Sequence, residues 1–165
     1  MRQYGGAAWE DSLLATWWLE LIKSGELQAT LGTRFEALSE FYAAWRPPAR
    51  LLYEFEDGQV KVACWYDPSP LAGAYFSMWV APTWRRTKRA FRAILEALAV
   101  GYNEYANPVL LFVTASPAVA RLHHHFGATV LGCVPHLYDG ERDAYVAYLT
   151  REQFQAISAR FAKAA

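Results

Sequence analysis

The stretch from Ala74 to Tyr102 restricts the fold of this chain more than any other. Tyr75, Ser77 and Trp79 alternate with Phe76, Met78 and Val80, a period of two that predicts a strand over 74–80. Pro82 ends it, because proline cannot donate to a ladder. Phe91, Ile94, Leu95, Leu98 and Tyr102 then fall on one helical face and predict a long helix over 86–102. A strand that passes so quickly into an amphipathic helix calls for a sheet with helices packed on it, so the chain is expected to be α/β.

The flanking segments fit that class. Helices are predicted over 11–23, where Leu13, Leu14, Trp17, Trp18, Leu21 and Ile22 keep helical spacing before Gly25, and over 33–45, where Leu38, Phe41, Tyr42 and Trp45 form one stripe before Pro47 and Pro48. The runs 51–55 and 60–66 read as a hairpin around Asp57-Gly58, with turn residues at 67–70. Val109 to Thr114 reads as a buried strand. Ser116, Pro117 and Gly127 then mark the start and stop of a short helix. Strands are predicted over 129–134 and 144–149, and Thr150 with Gln153 makes a capping-box pattern for a last helix carrying Phe154, Ile157 and Phe161. No repeat or linker interrupts the chain. One domain is expected over 1–165, with a helical part at 1–49, the sheet and its helices at 50–150 and a terminal helix at 151–165.

A chain of 165 residues can bury roughly 70% of its unfolded surface in one core. Hydrophobic residues at 54% against 19% charged exclude a disordered chain. Sixteen basic and sixteen acidic residues leave no net charge, so neither nucleic acid nor an anionic membrane is an expected partner. Cys64 and Cys133 have strand-like neighbours and no C-x-x-C spacing, which predicts buried free thiols in a reducing compartment. With no secretory pattern at the start and no run of eighteen apolar residues, a soluble cytoplasmic protein is expected. The seven Trp, ten Tyr and nine Phe are expected mostly in the core, with some excess that suggests a partner surface. The helix over 11–23 has only Glu20 and Lys23 as charges after Asp11, so association with further copies or partner proteins through the aromatic-rich helices is expected.

The order of elements over roughly residues 50–150 resembles the fold of the GCN5-related N-acetyltransferases (GNAT). The segment Val80-Ala81-Pro82-Thr83-Trp84-Arg85-Arg86-Thr87-Lys88-Arg89-Ala90 is similar to the acetyl-CoA signature of that family, a strand ending in V-x-P followed by R-x-x-G-x-G/A at the start of a long helix. Arg85 and Ala90 match, and Lys88 stands where the family has its central glycine. The resemblance implies a mixed, mostly antiparallel central sheet flanked by helices. It also implies acetyl-CoA as co-substrate, with its pyrophosphate held by Arg85, Arg86, Thr87, Lys88, Arg89 and Ala90 and its pantetheine oriented by the backbone at Val80. The physical basis is an open helix N-terminus, whose unpaired amides and positive dipole end attract anions. A lysine keeps the amide, but its Cβ can crowd the approach or call for a different φ.

Arg121-Leu122-His123-His124-His125-Phe126-Gly127 resembles the family's helix ending in glycine, with Ala128 in place of the usual aromatic, and Asp143-Ala144-Tyr145-Val146 resembles its last strand. That alignment puts His123 where many members carry a catalytic tyrosine, implying a general acid for a departing thiolate, a role suited by a pKa near neutrality. The implied reaction is direct attack of a primary amine on the thioester, without a covalent intermediate. A base is also needed. The strand 74–80 offers no carboxylate, which leaves Glu54 or Glu56 on the hairpin, or relay through Tyr75 or Ser77. His123, His124 and His125 point about 100° apart on a helix and cannot converge on one ion, so no metal is expected. No acidic residue occurs from Pro68 to Leu95, so Arg85, Arg86, Lys88, Arg89 and Arg92 are expected to form a positive patch, with Trp84 beside it as a cofactor cover or partner anchor.

A narrower likeness exists. Lys88-Arg89-Ala90-Phe91-Arg92 and the Gly127-Ala128 ending resemble small acetyltransferase-like proteins of short-tailed bacteriophages, some of them virion components. That resemblance implies the competing reading: a GNAT-like structural or binding protein of the virion that has lost its chemistry.

Overall fold

In the computed structural model, which describes residues 1–31, 35, 37–46, 49–68, 73–138 and 140–162, the alternating run forms β4 (Ala74–Val80). A 3-10 turn follows at Pro82–Trp84, and α4 spans Lys88–Asn103. The helix starts two residues after the predicted 86 because Arg86 sits in the left-handed region at φ 67° and Thr87 caps the end instead. The other elements are β1 (Arg2–Gln3), α1 (Ala8–Ser24), α2 (Leu27–Leu31), α3 (Leu38–Trp45), β2 (Arg50–Glu56), β3 (Gln59–Pro68), β5 (Val109–Thr114), α5 (Pro117–His125), β6 (Thr129–Tyr138), β7 (Arg142–Thr150) and α6 (Arg151–Ala162). The fold class is α/β (α+β), with helices and a mixed, mostly antiparallel sheet. Antiparallel pairs join β1 to β2, β2 to β3, β5 to β7 and β6 to β7, and a parallel pair joins β4 to β5.

Differences from the predicted elements have simple causes. The short β1 and α2 carry too few residues to show a period. The helix predicted over 33–45 is present as α3 from Leu38, and its residues 33, 34 and 36 lie outside the described residues, as do 69 and 70 of the predicted turn. Among the described residues no helix is long and apolar enough to cross a membrane.

The chain divides into two compact units, Met1–Tyr66 with Met78–Ala97, and Asp67–Ser77 with Leu98–Ala165. In the first, the strand order is β1-β2-β3-β4. Asp57 and Gly58 both take positive φ, the I′ turn that matches strand twist, and set Glu56 opposite Gln59. α1 and α3 bury their aromatic stripes on these strands. Trp17 is fully buried against Phe41, Trp45, Trp65 and Trp79, with ring centroids 5.3 to 6.3 Å apart. The aromatic surplus of these helices thus lies largely inside the unit, while Trp9, Leu19 and Ile22 are exposed. At the start of α1 the buried carboxylate of Glu10 accepts from the Gly5 and Ala7 amides at 3.0 Å each and from the Tyr53 hydroxyl at 2.8 Å. Those bonds occupy orphan donors at the helix entry and offset the cost of burying a charge.

The second unit is ordered β4-β5-β7-β6. Its parallel register pairs Ala74 with Leu110 and Tyr75 with Leu111. Gly73 comes so close to β5 that an added Cβ would lie 2.0 Å from the Val109 carbonyl oxygen, so only glycine fits there. Phe76 packs edge-on to Phe112, Tyr102 stacks on Phe154, and the Tyr102 hydroxyl donates to the Leu149 carbonyl at 2.6 Å. The capping box forms as predicted, Gln153 accepting from the Thr150 amide and Thr150 Oγ1 from the Gln153 amide. Cys64 is buried, as expected, and burial pushes its thiol pKa up. Cys133 is exposed, against expectation, because β6 is the outermost strand and its residues 129–137 all face solvent.

Candidate functional site

The basic loop lies in the first unit, and its backbone is organised by short-range bonds. The Ala81 amide donates to the Lys61 carbonyl at 2.8 Å, tying the end of β4 to β3. The Thr87 hydroxyl donates to the Trp84 carbonyl at 2.7 Å and accepts from the Ala90 amide at 3.1 Å. Thr87 is therefore the N-cap of α4, satisfying one of the first-turn amides. No backbone acceptor among the described residues takes the amides of Lys88 and Arg89. Two donors remain at the positive end of a helix sixteen residues long. The left-handed residue is Arg86, not Lys88, so the lysine in place of the family's glycine imposes no unusual backbone.

The patch is less positive than the local sequence suggests, because carboxylates distant in sequence fold onto it. Arg85 donates to Glu26 at 2.5 Å and through Nε to the Val80 carbonyl at 3.0 Å. Glu26 also accepts from Trp79 Nε1 at 3.0 Å. Burial alone would raise the Glu26 pKa, but the bonds from Arg85 and Trp79 outweigh it and hold the carboxyl below its usual range. Arg89 pairs with Glu56 at 2.6 Å and lies over the Trp84 ring, its guanidinium carbon 4.5 Å from the centroid. The Arg89 hydrogen bond holds Glu56 below the usual carboxylate range. Arg86, Lys88 and Arg92 are exposed and have no carboxylate partner among the described residues. Nothing in the spacing of Glu26, 53 residues from Trp79 and 59 from Arg85, marked it as part of this loop.

Glu54 belongs to the same unit. With Met1, Trp84, Arg89, Arg92, Ala93 and Glu96 it lines a cavity of about 320 Å³, where its carboxylate lies 3.6 Å from the Met1 ammonium. Trp84 is buried at 7% exposure, so it forms a wall of that cavity and a platform for Arg89 rather than an open surface anchor. Of the predicted site residues, Val80, Arg85, Arg86, Thr87, Lys88, Arg89 and Ala90 fall on one stretch from the end of β4 to the first turn of α4, with Glu54 and Glu56 on the hairpin of β2 and β3.

His123 belongs to the second unit, on α5. It is 4% exposed, its ring packs on Phe112 at a centroid distance of 4.6 Å, and Nδ1 is buried without a hydrogen-bond partner among the described residues. The near-neutral pKa expected for an acid does not hold. Burial disfavours the charged ring and brings its pKa down to about 4, so it is neutral at pH 7. Among the described residues no three His, Cys, Asp or Glu side chains are placed to hold a metal.

These features sit in a known fold, that of the GNAT acetyltransferases. The chain superposes on a mutant form of the spermidine N-acetyltransferase SpeG from Vibrio cholerae with a TM-score of 0.71 at 12% identity, covering 95% of this chain and 98% of that one. A Salmonella typhimurium acetyltransferase that modifies the N-terminal serine of ribosomal protein L7/L12 matches with a TM-score of 0.65 at 15% identity, over 87% and 92% of the two chains. The yncA protein of Salmonella typhimurium, solved with its cofactor acetyl-CoA, matches with a TM-score of 0.61 at 18% identity, over 87% and 90%. No family model and no curated protein matches the chain by sequence.

Proposed function

We propose that the chain is an acetyl-CoA-dependent N-acetyltransferase acting on a primary amine. The observation that carries this reading is the N-terminus of α4, where the Lys88 and Arg89 amides are open and the Arg86 and Lys88 side chains carry unpaired charge. A pyrophosphate fits that chemistry: two amide donors, the helix dipole and at least two cations within one turn. Arg85, held by Glu26 and Val80, fixes the loop around those amides, Thr87 keeps the helix end in place, and the small Ala90 leaves room at the first turn. Bound there, acetyl-CoA would supply an activated acyl thioester. The reading assigns the proton taken from the acceptor to Glu54, a partly exposed carboxylate in the cavity beside Trp84 and Arg89. His123, closed in and neutral at pH 7, is given no acid role in this reading, and the leaving thiolate takes its proton from solvent.

The test is thermal stability with acetyl-CoA, together with release of free thiol on adding a panel of primary amines. Stabilisation of about 2.7 kcal/mol is expected when the ligand stands a hundredfold above its dissociation constant, and it should vanish in Arg86→Glu/Lys88→Glu. No shift at millimolar acetyl-CoA overturns the proposal.

A second reading, a non-catalytic binding or structural protein, of which a phage virion component is the narrower form, is favoured by the partnerless burial of His123. Binding of acetyl-CoA without thiol release from any amine would support it.

A further inference from the structure

We infer that the acceptor in the acetyl transfer proposed above, a reading on which this inference rests, is a free apolar amino acid. Its ammonium takes the place that the Met1 ammonium holds between Glu54 and Glu96, and its carboxylate meets Arg92. The cavity of about 320 Å³ lies within the first unit and carries the groups for such a zwitterion. Glu96 accepts from the Met1 ammonium at 2.9 Å, and Glu54 lies 3.6 Å from the same nitrogen. The site thus holds a primary ammonium in this structure. Burial alone would lower the pKa of that ammonium, but Glu96 and Glu54 outweigh it and hold it above the ordinary range. The Met1 side chain is 2% exposed, so an unbranched apolar side chain is buried beside the ammonium.

The remaining charges select the rest of the ligand. Arg89 and Arg92 line the same cavity, but Arg89 is taken by Glu56 at 2.6 Å, whereas Arg92 has no ion-pair partner among the described residues. A bare amine would leave that guanidinium unpaired, and an amino acid pairs both of its ends. Arginine suits a carboxylate, because its planar fork can donate two parallel bonds. Trp84 and Ala93, both buried, supply the apolar wall. The transfer balances with groups already assigned. The ammonium gives one proton to Glu54, and its nitrogen bonds the acyl carbon as the carbon–sulfur bond breaks and sulfur keeps the electron pair. Ammonium and thioester together give the N-acetylamino acid, free thiol and one proton. The ligand enters as Met1 leaves, so the two compete for one place.

Calorimetry on the full chain without acetyl-CoA tests this, with three probes: L-methionine, L-methioninamide, which keeps the ammonium and lacks the carboxylate, and methionylglycine. Methionine should bind about fivefold more tightly than methioninamide, the worth of one partly exposed ion pair, and Arg92→Gln should erase that difference. Glu96→Gln should weaken both about fivefold. A chain carrying Gly-Ser ahead of Met1 has no ammonium at that point and should bind methionine more tightly. Arg92 is exposed and Glu96 is 51% exposed, so these variants leave the core intact. Equal binding of methionine and methioninamide, methionylglycine binding as tightly as methionine, an affinity unchanged in Glu96→Gln, or no binding of methionine by the extended chain overturns the inference. Acetyl-CoA is absent from these titrations, so such a failure leaves the acetyl-transfer reading standing. Failure of the acetyl-CoA thermal shift would in turn leave the amino-acid site standing as a binding site.

Discussion

The loop at 81–90 and the helix at 117–125 both carry basic residues that resemble motifs of one family, yet the structure gives their polar groups opposite treatment. At the loop, backbone donors are left open while the surrounding side chains are tied down, Arg85 to Glu26 and Arg89 to Glu56. At the helix, His123 is closed in against Phe112 and its Nδ1 has no partner among the described residues. Anion binding by amides needs only that the helix end be open, which many sequences can arrange. Proton transfer needs one side chain with a matched pKa and reach, and burial without a partner removes both.

The sharpest way to break this contrast is acid. In the unfolded chain an imidazole takes a proton below about pH 6.5, whereas in the folded chain His123 takes one only below about 4. Between these values unfolding binds a proton, so His123 takes nothing from stability above pH 6.5 and an increasing amount as pH falls toward 4. The full loss is on the order of 3 kcal/mol. Urea titrations at pH 7 and pH 4.5 should show it, and His123→Leu should reduce the difference. An unchanged difference would mean that the ring is not held neutral.

The loop predictions are smaller. Thr87→Ala removes the cap of α4 and should cost about 1 kcal/mol by denaturant titration. Arg86→Gly relieves a left-handed residue worth about 1 to 2 kcal/mol. Part of that is returned as unfolded-chain entropy, so a net gain of about 0.5 kcal/mol is expected in thermal melts. Smallest of all, Lys88→Gly should weaken acetyl-CoA about twofold by calorimetry, because it removes a cation beside the helix end without correcting any strain. Tighter binding would show instead that the Lys88 Cβ crowds the ligand.

How far the fold was legible can be traced in particular elements. β4 and β5 start and stop where predicted, since the alternating run, Pro82 and the buried run are local signals. The caps at Ser116, Thr150 and Gln153 were legible for the same reason: each is a bond between residues three apart along the chain, and the Asp57-Gly58 turn needs only its own two φ angles. Two-residue β1 and five-residue α2 were not, because a period needs more residues than they have.

The candidate site divides along the same line. Residues 80–90 stood out by order and charge, but the acid-free stretch around them did not predict the charge in space. Glu26 and Glu56 arrive from other elements, and only pairing across the fold could bring them to Arg85 and Arg89. Likewise, Cys64 and Cys133 have similar neighbours in sequence, and only the strand order, which places β3 inside the sheet and β6 at its rim, made one buried and the other exposed. By itself the sequence determined the elements, their caps and the position of the basic loop, all set by contacts within a few residues. Tertiary structure alone decided which charges are neutralised, which backbone amides stay open and how far His123 is from its ordinary pKa. Those properties depend on groups tens of residues away and on the water that packing removes.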